Sequence, residues 1–151
     1  MSHTKTGALI VFERESILDE QIATGVQLNA DISRELIGNI FFKNSPLHDG
    51  AVIIRNSRIL AASCFLPKPE KEDQISRELG SRHRAAIGMS ENSDAIIVVV
   101  SEETGTISVA EGGHLIRDLN RQGLLYYLTE RLVPDPPEKK QRKRLGRSKE
   151  K

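Results

Sequence analysis

The sequence predicts an α/β domain with a mixed central β-sheet flanked by helices, and three observations carry that expectation. Short apolar, β-branched runs alternate with segments whose apolar residues recur every three or four positions. Two pairs of strand-like runs are joined by turn residues, which makes antiparallel hairpins part of the sheet. The third is size: 151 residues, 38% hydrophobic and 28% charged, suit a single core.

Each element follows from local chemistry. Gly7-Ala-Leu-Ile-Val-Phe12 is too short for a helix and reads as a buried strand. From Asp31, Ile32, Leu36, Ile37, Ile40 and Phe41 fall on one helical face, with Asp31 as the expected N-cap. Two strands, Ala51 to Arg55 and Ile59 to Leu66, are separated by Asn56-Ser57 and form a hairpin. Pro67 to Gln74 reads as a polar loop, followed by a helix through Ile75, Leu79, Ala85 and Ala86 that ends near Gly88. Asp94 to Ser101 is the most apolar strand, and Thr106 to Ala110 pairs with it across a Glu-Glu-Thr-Gly turn. A final amphipathic helix is expected from Leu115 to Leu132. Residues 1–137 form the expected domain, closed by Pro134, Pro136 and Pro137.

Composition excludes several classes. The single cysteine, Cys64, allows neither an internal disulfide nor a cysteine-based zinc site, and a reducing cytoplasm is expected. No apolar stretch approaches the roughly 20 residues of a membrane helix, and the N-terminus lacks signal-peptide organisation. The absence of Trp and the 4% aromatic content argue against a base-stacking single-strand binder. Residues 138–151 carry eight Lys or Arg against two Glu in a chain of net charge +1, so the body is mildly acidic. That basic tail reads first as a solvated, disordered end; binding to nucleic acid or anionic lipid is the alternative. A nucleic-acid partner is not expected.

Four constellations can carry chemistry. In Leu47-His-Asp-Gly-Ala51, Gly50 permits a tight turn that projects His48 and Asp49 from the start of a strand, where they can bind a cation or take a proton. Spacing alone leaves a plain Asp-Gly turn open. Gly80-Ser-Arg-His-Arg-Ala85 offers forked donors at Arg82 and Arg84, with His83 and the Ser81 hydroxyl, to phosphate oxygens; an exposed basic helix turn is the alternative. Ser101-Glu-Glu-Thr-Gly105 ends a buried strand, so Glu102 and Glu103 are metal or ribose contacts, or simply a hairpin turn. Phe65 and Leu66 can sandwich an adenine ring or pack the core. Phosphate-loop, dinucleotide-fold and hydrolase-elbow patterns are missing.

Asp49-Gly-Ala51 and Arg82-His-Arg84, in that order, resemble the two signature motifs of the diadenylate cyclase (DAC) domain. The likeness runs from Thr6-Gly-Ala-Leu-Ile through Pro46-Leu-His-Asp-Gly-Ala-Val-Ile and Arg82-His-Arg-Ala-Ala-Ile-Gly88 to Val100-Ser-Glu-Glu-Thr-Gly105. Among such cyclases it is most similar to the membrane-anchored bacterial type, whose cytoplasmic catalytic domain follows transmembrane helices. The resemblance implies condensation of two ATP into cyclic di-AMP, with Asp49, Arg82, His83 and Arg84 catalytic. It implies ATP contacts at Gly50, Ala51, Phe65, Leu66, Ser81, Ser101 and Glu103, besides those of Arg82, His83 and Arg84 with the triphosphate. His48, Asp49 and Glu102 would hold Mg²⁺ or Mn²⁺, and a face-to-face homodimer would be needed for turnover. Phe65 stands where tyrosine is common and Ser81 where threonine is common; stacking and the hydroxyl survive both changes. A non-catalytic nucleotide sensor using the same pocket is the rival reading.

Overall fold

The computed structural model describes residues 1–134. They run β1 (Ala8–Phe12), α1 (Asp19–Ala23), β2 (Val26–Asp31), α2 (Arg34–Ile40), β3 (Ala51–Arg55), β4 (Arg58–Cys64), α3 (Ser81–Glu91), β5 (Ile96–Val100), β6 (Ile107–Glu111), β7 (His114–Leu119) and α4 (Arg121–Leu132), with a 3₁₀ turn at Glu72–Gln74. The basic segment 138–151 and two of the three boundary prolines lie outside the described residues. Among the described residues, no helix is long and apolar enough to cross a membrane.

The strands form one sheet in the order β2-β4-β3-β1-β5-β6-β7. Among the described residues only β1 and β3 pair in parallel; every other neighbour is antiparallel, so the expected mixed α/β sheet is what forms. The apolar runs are continuous because both faces are covered. On one face Leu9, Val11, Ile53, Ile97 and Val99 pack with Ile22 of α1 and Ala86 and Met89 of α3. On the other, Ala8, Val52, Ile54 and Ile59 pack with Ile40 at the end of α2 and the adjoining Phe41. Ile53 is fully buried, and truncating such a residue to Ala costs about 2–5 kcal/mol.

The central hairpin forms as expected: Arg55 pairs with Arg58, and Asn56 and Ser57 take φ of 50° and 63°, the left-handed pair that a two-residue turn requires. Elsewhere the structure corrects local expectations. Asp31 ends β2 instead of capping a helix; Ser33 is the cap, its Oγ accepting from Leu36 N at 3.0 Å. The sequence reading passed over both α1 and β2: α1 is only five residues long, and β2, although Val26, Leu28 and Ala30 alternate with polar residues, is a short and mostly exposed edge strand. Ile75 and Leu79 precede α3, which begins at Ser81 after Gly80. The expected helix from Leu115 is in fact β7 followed by α4, since His114–Leu119 pairs with β6.

The chain divides into two compact units, Met1–Leu119 and one beginning at Asn120. Within the second, the Asn120 side chain caps α4 by accepting from Gly123 N at 2.7 Å, and the Arg131 guanidinium lies 3.5 Å from the centre of the Tyr127 ring.

Candidate active site

Strand register decides what meets at one end of the sheet. Ile10 pairs with Val52 in parallel, so Gly7 and Asp49-Gly50 precede their strands at the same end. Antiparallel β4 and β5 finish there, with Cys64 opposite Ala51 and Val100 opposite Ala8, and deliver Phe65-Leu66 and Ser101–Glu103. Because the sheet is mixed, the site gathers two strand beginnings and two strand ends, and the rule of ligands beyond carboxyl ends applies only to β4 and β5. Helix α3 packs against β1, β5, β6 and β7, and its first turn adds Ser81 to Arg84.

The result is a cavity of about 300 Å³ lined by Asp49, Gly50, Phe65, Leu66, Ser81, Arg82 and Arg84. A smaller hollow of about 50 Å³ adjoins it, shares Ser81 and Arg82, and adds His83, Ser101, Glu102 and Glu103. Thus the two signature triplets, some thirty residues apart, do converge. Phe65 is exposed while Leu66 is buried, so an exposed ring and an apolar wall stand at the cavity. Two expected residues lie outside both spaces. Ala51 is fully buried in the core, and His48 turns its Nδ1 to Ser45 O at 2.7 Å. Lys68, Glu72 and Cys64 line the cavity without having been expected there. Lys68 and Glu72 sit in a charged loop whose course only packing fixes.

Two glycines make this geometry possible. Gly50 has φ of 97°, and a Cβ there would lie 2.8 Å from the Ser63 carbonyl carbon. Ser63 itself has φ of 57° at a bulge in β4, where Ile53 opposite Ala61 gives way to Ala51 opposite Cys64. Gly7 lets Arg82 pass: a Cβ on it would meet Arg82 Nη1 at 2.8 Å and Cζ at 2.9 Å. No motif argument singled out Gly7, because its reason lies in a side chain 75 positions away.

Electrostatics sorts the cationic triplet. Arg82 Nη1 lies 3.4 Å from Glu102 Oε2, and its buried Nε has no hydrogen-bond partner among the described residues, leaving donor capacity for a ligand. Burial holds the His83 pKa below the usual imidazole range, and the positive charges of Arg117 and Arg82 push the same way against Glu103. His83 is therefore neutral at pH 7 and contributes shape where the sequence suggested charge. Among the described residues no side chain caps α3 at Gly80, so N–H groups of its first turn are available to an anion. Burial pushes the Cys64 thiol up to about 11, which keeps it protonated and inert.

No group of three His, Cys, Asp or Glu side chains that could hold a metal ion occurs among the described residues. The donors present nevertheless fit a cation that keeps other ligands. A carbonyl only accepts, so the bond to Ser45 O puts the His48 proton on Nδ1 and the lone pair on Nε2. With the Asp49 carboxylate on the next residue, this is a nitrogen-oxygen pair suited to a divalent ion completed by phosphate and water oxygens. Glu102 is engaged by Arg82.

Comparison with known proteins gives a consistent picture. The chain is 51% identical over 124 residues to the cyclic di-AMP synthase CdaA of Bacillus subtilis, covering 82% of this chain and 45% of that protein. It is 49% identical over 133 residues to a diadenylate cyclase of Listeria monocytogenes, covering 88% and 48%. The chain therefore spans about half the length of these relatives. The crystal structure of DacA from Staphylococcus aureus superposes with a TM-score of 0.86 at 47% identity, covering 89% of each chain. A Bacillus cereus structure, titled a hypothetical membrane spanning protein, gives a TM-score of 0.75 at 49% identity, covering 79% of this chain and 58% of the other. Residues 1–115 match the DAC family, the DisA bacterial checkpoint controller nucleotide-binding domain, and the chain belongs to that family.

Proposed function

We propose that this protein is a diadenylate cyclase that condenses two ATP molecules into cyclic di-AMP and releases two pyrophosphates. The observation that carries the reading is one cavity lined together by Asp49, Ser81, Arg82, Phe65 and Leu66, in a chain about half identical to named diadenylate cyclases. Arg82 and the first-turn N–H groups of α3 hold the triphosphate, the Ser81 hydroxyl adds a neutral donor, and Phe65 stacks on adenine. Asp49 orients the 3′-hydroxyl and accepts its proton. The 3′-oxygen attacks the α-phosphorus of the other ATP in line; the new O–P bond forms as the bond to pyrophosphate breaks. A divalent cation, Mg²⁺ or Mn²⁺, held by Asp49 and His48, would supply phosphate neutralisation and a more acidic hydroxyl.

The chain carries one Asp49-Gly-Ala51 set and one Arg82-His-Arg84 set, yet the product has two equivalent bonds. A two-fold homodimer in which each protomer presents one ATP meets this count. A membrane anchor elsewhere in the parent protein, with this domain in the cytoplasm where ATP is found, belongs to the same reading. Incubation with ATP and Mn²⁺, followed by mass analysis, tests it. Cyclic di-AMP with two equivalents of pyrophosphate is expected; ATP bound but unchanged would identify a sensor instead.

A further inference from the structure

The two arginines of the cationic triplet cannot reach one point easily, because residues two apart on an α-helix project about 200° apart. Arg82 extends toward Gly7 and Glu102. Arg84, which also lines the cavity, turns its guanidinium to the preceding segment, where Nη1 donates to Glu72 O at 3.0 Å and Nη2 to Ser76 O at 3.4 Å. The Glu72 carboxylate lies 3.9 Å from the same guanidinium. One planar fork thus spans the 3₁₀ turn Glu72–Gln74 from its first residue to just beyond its last.

That turn belongs to a segment held to α3 at its start. Pro67 passes so close to Gly88 that a Cβ there would lie 2.1 Å from Pro67 O, and Glu70 N donates to Glu91 Oε2 at 3.2 Å. Beyond Glu70, among the described residues, the hydrogen bonds between this segment and α3 are those of Arg84. The segment is also a wall. Lys68 and Glu72 line the 300 Å³ cavity, whereas Lys71, Gln74 and Ser76 line a separate open groove.

We propose that Arg84 is a positioning residue, which fixes the segment 72–76 and with it the cavity wall at Glu72, and leaves phosphate recognition to Arg82. The family resemblance gave both arginines to the triphosphate; the geometry divides them. This inference rests on the nucleotide reading of the cavity, so one arm of its test is independent of nucleotide. Lys71 and Arg77 are exposed tryptic sites within the segment. Without ligand, Arg84→Ala should raise the cleavage rate at both by at least about tenfold, the effect of losing even one charge-assisted hydrogen bond, and Arg82→Ala should leave it unchanged. Arg84→Lys, which keeps the charge and reaches one carbonyl, should fall between and serves if the alanine variant folds poorly. In calorimetry, Arg84→Ala should weaken adenosine and ATP by the same factor, whereas Arg82→Ala should weaken ATP alone. Unchanged cleavage at Lys71 and Arg77, or an ATP loss with adenosine unaffected, overturns the positioning role. If the wild type binds neither ligand, the nucleotide reading fails, and the cleavage rates alone decide whether Arg84 anchors the segment.

Discussion

Gly7→Ala separates placement of Arg82 from its presence. The added Cβ would meet Arg82 Nη1 at 2.8 Å and Cζ at 2.9 Å, and the nearest Glu102 atom at 3.2 Å. Ordinary contact begins near 3.4 Å, so the guanidinium must retreat by about 0.6 Å. The obstruction is the end of a flexible side chain, so the backbone can stay where it is. The overpacking cost then lies near the low end of its range, about 1 kcal/mol, or about 2–4 °C in Tm for a chain of this size. Function suffers more. A 1 Å misplacement in a phosphoryl-transfer site costs about 100-fold, so a shift of roughly half that should lower kcat/KM for ATP by about tenfold. The limit is set by Arg82→Ala, which removes a bond to a charged group and costs about 1.5–3 kcal/mol of triphosphate binding with adenosine affinity kept. Initial rates with ATP, calorimetry with both ligands and thermal unfolding on the same preparations read all three quantities. Wild-type turnover and ATP affinity in Gly7→Ala would falsify the claim that this contact places Arg82 on the phosphates. A fall in Tm beyond about 10 °C would show that Gly7 serves the core instead.

Three further outcomes are expected. Asp49→Asn should keep the fold, since Asp49 is exposed, and much of the ATP affinity, but lose at least about 100-fold in turnover; near-normal cyclisation would remove Asp49 from the mechanism. His83 has a folded pKa below its unfolded value, so its contribution to stability is complete above about pH 6.5 and is lost as pH falls through the folded value. Thermal melts from pH 7 to pH 5 should therefore show a decline that His83→Gln flattens, and parallel curves for the two proteins would refute it. For the homodimer, initial rates well below the dimer dissociation constant should rise as the square of protein concentration, and excess Asp49→Asn protein should inhibit the wild type. Linear rates where sedimentation shows only monomer, with no inhibition, would exclude the dimer requirement.

Local sequence determined whatever depends on neighbouring residues. The buried strands Ala8–Phe12 and Ile96–Val100 were legible as apolar runs, and the hairpin between β3 and β4 as Asn56-Ser57 between two such runs. The motifs Asp49-Gly-Ala51 and Arg82-His-Arg84 could be picked out because a carboxylate beside a turn glycine and two closely spaced guanidiniums are unusual in an acidic body. Short or edge elements were not legible: β2 makes its hydrogen bonds with a distant strand, and β7 carries a helix-like pattern that pairing with β6 overrides. Tertiary structure alone decided how the site is divided. Helical phase sends Arg82 past Gly7 and Arg84 to the Glu72–Ser76 segment, and burial with two neighbouring arginines keeps His83 neutral. A sequence specifies which groups a segment carries, but the direction of a side chain and the charge on an imidazole depend on what the rest of the chain packs around them.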